Sequence, residues 1–133
     1  MLPALIRKFH EAKSKNSETE EVWGSGTPKR EFLHVDDMAD ASVYLMNHYD
    51  GSDIVNVGVG NDVSIRELAE TVKSIVGFSG ELVFDATKPD GTPRKLMDVS
   101  RLNGLGWQAK TSLNDGIAST YEWFLAHQAD FRE

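Results

Sequence analysis

The chain has 133 residues, 40% of them hydrophobic, which is material for one domain, residues 1–133, with a modest core and no room for two. A formal net charge of -7, from 14 Lys and Arg against 21 Asp and Glu, argues against nucleic acid or an anionic membrane as the main partner, because both demand a basic face; a local basic pocket is still allowed. The absence of cysteine excludes disulfides and thiolate metal sites, and neither a secretion signal nor a membrane-length apolar run is present, so a cytoplasmic location is expected.

Leu2, Leu5, Ile6 and Phe9 recur at helical spacing and predict an amphipathic helix over residues 2–13, with Pro3 in its first turn. Such a helix normally follows a loop, so the chain is expected to begin mid-protein. Residues 13–21 are polar and acidic and read as an exposed loop. Residues 22–37, V-W-G-S-G-T-P-K-R-E-F-L-H-V-D-D, hold the densest information in the chain. The glycines allow a sharp reversal and a close approach, and Pro28 fixes the exit. Trp23 offers a flat apolar face and Arg30 a planar five-donor fork for phosphate or carboxylate oxygens. Equally, Trp23 reads as a core indole and Arg30 as the partner of Glu31 or an aspartate. Residues 31–35 alternate like a short strand, and Asp36 and Asp37 are placed to cap a helix running to about His48. An acid/base or metal role for that pair would need a further ligand, and His34 is the only nearby candidate.

Residues 54–59 carry a strand signal, followed by a Gly58-Val59-Gly60 loop and a Ser64-x-x-Glu67 capping box. Ile65, Leu68, Ala69, Val72 and Ile75 then form the apolar face of a helix ending at Gly77, and residues 82–85 form another strand. This imitates a dinucleotide-binding unit, but Val63 stands where the third fingerprint glycine belongs, so we read a late βα unit of a sheet. Residues 87–95, T-K-P-D-G-T-P-R-K, make a loop rigidified by two prolines and an Asp-Gly turn, carrying Asp90, Arg94 and Lys95. Residues 96–99 alternate as a strand, Ser100 starts a short helix, and Trp107 is expected to pack. Ser112, with Asp115 three residues on, opens a last helix to about His127, whose core stripe is Leu113, Ile117, Tyr121, Phe124 and Leu125.

The run from Gly24 to Asp37 resembles the G-x-G-x-x-x-R-[DE]-F-[ILV]-H-V-D-D pattern of the extended short-chain dehydrogenase/reductase family of nucleotide-sugar enzymes. Within it, P-A-L-I-R-K-F-H-E-A (residues 3–12), W-G-S-G-T-P (23–28), N-V-G-V-G (56–60), K-P-D-G-T-P-R-K-L-M-D-V-S-R-L (88–102) and L-G-W (105–107) are similar to the carboxy-terminal part of the GDP-L-fucose synthase family. That resemblance implies an α/β fold: the substrate-binding portion of a Rossmann-like enzyme, a late βα unit with small strands and helices. It implies an NADP(H)-dependent reaction that epimerises a GDP-bound 4-keto-6-deoxymannose at two carbons and reduces its ketone. Substrate contacts carry over to Trp23, Arg30, Asp90 and Lys8, the last standing where the family can have Arg and so lacking the bidentate fork.

The resemblance also implies what lies elsewhere. Family hydride chemistry needs Tyr-x-x-x-Lys, yet Tyr44, Tyr49 and Tyr121 are followed four places on by His48, Asp53 and Leu125. No catalytic, cofactor-binding or metal residue is therefore assigned. We expect the chain alone to be inactive and to bind no cofactor, with an amino-terminal half as its missing partner, a GDP-sugar as its ligand and a homodimer for the full-length enzyme. The other readings are a non-catalytic nucleotide-sugar-binding module, a structural or interaction domain, and a piece of a related epimerase or dehydratase.

Overall fold

The computed structural model describes residues 1–128. Its main core forms where three amphipathic helices, α1 (Leu2–Ser14), α3 (Ile65–Val76) and α5 (Leu113–Ala126), meet the strand β1 (Thr19–Trp23). Phe9, Ile6, Leu68, Val72 and Ile117 are fully buried there. Burying such side chains stabilises by about 1.5–3 kcal/mol each. Ser64 and Glu67 form the expected reciprocal capping box on α3, Gly77 ends it, and Ser112 caps α5 by accepting from the Asp115 N–H at 3.1 Å. Leu125 departs from the expected stripe and is exposed, while Val76 takes a core position beside half-buried Ile75.

A second, smaller apolar cluster joins Ala41 of α2 (Val35–His48) to Leu102 of α4 (Ser100–Gly104) and to Trp107, which packs as expected. The cap of α2 differs from expectation. His34 takes it, its Nδ1 accepting from the Asp36 N–H at 3.3 Å, and Asp37 turns inward, 5% exposed, to accept from the backbone N–H groups of Lys110 and Thr111 at 3.1 and 2.8 Å. A buried carboxylate needs donors, and the chain entering α5 supplies them.

Strands are where expectation and structure part most. β1 lies in what reads as an exposed acidic loop, because only Val22 of T-E-E-V-W is buried. Neither residues 31–35 nor 96–99 form the expected strands; the pairing segments β2 (Lys29–Arg30) and β5 (Arg94–Lys95) end just before them. Residues 54–59 form no strand; β3 (Val63–Ser64) comes later and leads straight into α3. β4 (Glu81–Asp85) is as expected and pairs in parallel with β1, Trp23 opposite Asp85. β2 is the centre of a second sheet, antiparallel to β3 and parallel to β5, with Lys29 opposite Arg94 and Arg30 opposite Lys95.

Candidate functional site

Two strand–loop–strand runs lie side by side with both strand pairs parallel, so the loops between them must travel together. Residues 24–28 connect β1 to β2, and the longer residues 86–93 connect β4 to β5. The runs end in near-copies, G-T-P-K-R (26–30) and G-T-P-R-K (91–95), and each proline precedes its strand. The loops are stitched along their length: the Gly24 N–H donates to the Asp85 carbonyl at 2.9 Å and the Lys29 N–H to the Pro93 carbonyl at 2.8 Å. Between these, Asp90 reaches back to accept from the Ser25 N–H (2.7 Å) and Oγ (2.8 Å). Gly24 has φ +90°, and a Cβ there would sit 2.5 Å from Asp90 Oδ1, so this latch needs glycine.

In-register parallel pairing puts Arg30 and Lys95 on one face of the small sheet, and Lys29 and Arg94 on the other. In the second pair Arg94 has a carboxylate partner. Asp62 accepts from Arg94 Nε and Nη2, and that bond holds its carboxyl below the usual range; the charge of Lys29 adds to the effect. On the first face, no ion pair to Arg30 or Lys95 occurs among the described residues; the Arg30 Nη1 donates only to the Lys29 carbonyl, at 2.7 Å. Arg30 lines a cleft of about 250 Å³ with Phe32, Val59, Asn61, Val63 and the entry to α5, and its Nη2 lies 3.9 Å from where a Gly91 Cβ would be. The sheet thus presents two cations without an ion pair on one face, and one of them, Arg30, lines a cleft. Such an arrangement suits a doubly charged oxygen-rich anion.

Of the residues expected at the site, Trp23, Arg30 and Asp90 stand on these adjoining runs. Trp23 is 67% exposed and so is not a core indole; the Lys88 Nζ lies 5.5 Å from its ring centre. The 250 Å³ cleft reaches Arg30 but is lined by neither Trp23 nor Asp90. Lys8 is held apart: its Nζ donates to the Glu21 carbonyl at 2.6 Å and pairs with Glu20 at 3.1 Å. Lys95 was legible as a loop cation, though not as the neighbour of Arg30. The repeated G-T-P word was the available signal, since two like segments at strand starts are natural candidates for pairing.

Glu31 is a further participant. Its Oε1 accepts from the Val59 and Gly60 N–H groups at 2.6 and 2.7 Å, and its Oε2 from the Met97 N–H at 3.0 Å. This contact also decides the nature of the Gly58-Val59-Gly60 loop. The amides of that loop that would cradle a pyrophosphate are already bonded to the Glu31 carboxylate. His34 serves as a cap and its Nε2 lies 3.2 Å from Ser119 Oγ; no group of three His, Asp or Glu able to hold a metal occurs among the described residues. Burial raises the pKa of Tyr121, whose hydroxyl lies 3.0 Å from His10 Nδ1 within the core.

Residues 1–58 match the NAD dependent epimerase/dehydratase family. Over 94% of its length the chain is 64% identical to the putative GDP-L-fucose synthase 2 of Arabidopsis thaliana, and over 99% it is 55% identical to the GDP-L-fucose synthase of Escherichia coli K12. It covers 38% and 44% of those proteins, about two fifths of the length of these curated relatives. The solved structure of a GDP-L-fucose synthetase from Naegleria fowleri bound to NADP superposes with a TM-score of 0.92 at 30% identity, over 99% of this chain and 42% of that one. The fold is that of a part of an extended short-chain dehydrogenase.

Proposed function

From a chain similar over nearly its whole length to GDP-L-fucose synthases, with an NAD dependent epimerase/dehydratase match at its start, we propose that it forms the GDP-sugar-binding portion of such an enzyme. The full enzyme would convert GDP-4-dehydro-6-deoxy-D-mannose to GDP-L-fucose with NADPH, the redox groups residing outside this chain. The observation that carries this reading is the in-register pair Arg30 and Lys95, without an ion pair, of which Arg30 lines a cleft. In it, the Arg30 fork and the Lys95 ammonium take the diphosphate oxygens, and the exposed Trp23 indole lines an apolar wall. Asp90 acts chiefly by ordering the loop, its remaining lone pairs facing ligand donors. Lys8 would have to leave Glu20 to take part, so it ranks last among the contacts.

A partner polypeptide belongs to the same reading. The outer side of α2 carries Val35, Met38, Ala39, Val43 and Met46 at helical spacing, with Val43 58% and Met46 82% exposed, while its other side packs on α4 and Trp107. A helix apolar on both sides is built to be sandwiched. The share of its relatives that the chain spans supports an occupant in the remaining three fifths of such an enzyme. Calorimetric titration of GDP into the chain tests the central reading. We expect a dissociation constant of about 0.1–1 mM, weakened by added salt and lost on Lys95→Ala. Absence of heat at millimolar GDP would count against it.

A further inference from the structure

We propose that Glu31 is a positioning residue that holds Arg30 and Lys95 in register as one clamp; the proposal rests on the anion-site reading above and adds a residue to it. Like charges placed directly opposite on paired strands repel. Here the paired segments are two residues long, so their own ladder offers little to oppose that repulsion. Glu31 follows Arg30 directly, and its carboxylate crosses to the Met97 N–H, two residues beyond Lys95. Its other oxygen takes the Val59 and Gly60 N–H groups, and Val59 is a wall of the cleft that Arg30 lines. One side chain therefore ties β2 to both flanking segments just past the point where strand pairing ends. The loop has been shaped around it: a Cβ on Gly58 would meet Glu31 Oε1 at 2.5 Å.

Three N–H donors converge on this carboxylate, and an amide of the same size cannot satisfy them. Glu31→Gln turns one acceptor into a donor facing donors; Glu31→Asp keeps the charge and shortens the reach. The test reads two quantities on the full chain, with GDP as the probe. First, without ligand, Glu31→Gln moves the amide resonances of Val59, Gly60 and Met97 and, with them, the side-chain Nε–Hε resonance of Arg30. If the amides move and the Arg30 signal stays in place, Glu31 does not position Arg30 and the proposal falls. Second, Glu31→Gln weakens GDP binding about tenfold, and in an Arg30→Ala background the same change costs less than about twofold. An equal loss in both backgrounds overturns the proposal. Should Glu31→Gln fail to fold, Glu31→Asp takes its place in both measurements with the same criteria. If the unmodified chain gives no response to GDP, the anion-site reading fails, while the Arg30 resonance still decides whether Glu31 positions it.

Discussion

Gly24 and Asp90 illustrate how much of the site depends on single contacts between distant positions. Gly24→Ala would force a side chain into a left-handed backbone and against the Asp90 carboxylate. We expect a loss of about 1–3 kcal/mol in chemical denaturation. An unchanged midpoint would mean that the Asp90–Ser25 latch does not hold the loops. Trp23, Arg30 and Asp90 stood out in the sequence because they sit in dense words with turn chemistry around them, and the structure sets all three on the adjoining runs. Their partners were not. Ser25 as the holder of Asp90, Lys95 as the neighbour of Arg30 and Glu31 as a three-way tie all arise from strand register, which no local spacing encodes. His34 caps α2 in place of the expected Asp36 and Asp37 for a similar reason: Asp37 is drawn inward by the donors at Lys110 and Thr111, 73 and 74 positions away.

Among the elements, the long helices were readable and the short strands were not. α1, α3 and α5 each repeat an apolar stripe over three or more turns with caps at the start of α3 and α5, whereas β2, β3 and β5 are two residues each, too short for any alternation to register. The helical core carries a direct prediction. Phe9→Ala, which empties a fully buried position, should cost about 3–5 kcal/mol by urea denaturation. A loss below about 1 kcal/mol would show the site collapsing freely. The three-stranded sheet carries a pH dependence through Asp62, just before β3, and Arg94 of β5. Because Arg94 lowers the pKa of Asp62 in the folded chain, the stability from this pair is fully present above the ordinary carboxylate pKa, about 3.9, and is lost as the pH falls through the depressed value. The melting temperature of the unmodified chain should therefore fall further between about pH 6 and pH 3 than that of Arg94→Ala. Parallel acid profiles for the two would assign no such role to the pair.

At the scale of the molecule, the described residues combine a well-formed helical core, a two-stranded parallel sheet, a three-stranded mixed sheet and one helix left apolar on its outer side. Val43→Lys and Met46→Lys alter that outer side alone, so they should leave stability within about 0.5 kcal/mol while reducing self-association in sedimentation. A large destabilisation would mean that α2 is already covered in the chain by itself. The fold class and the family resemblance could be read from the sequence because whole words of it are distinctive. The side-by-side course of the two loops could not, because it depends on the parallel pairing of β1 with β4 and of β2 with β5. The central claim is that this face, Arg30 and Lys95 beneath the Asp90 latch, takes a nucleoside diphosphate. The most direct measurement is a GDP titration followed by residue-resolved NMR of the chain. Our account predicts shifts concentrated at the Trp23 indole, Arg30 and residues 91–95; shifts centred elsewhere, such as the groove between α3 and α5, or none at all, would contradict it.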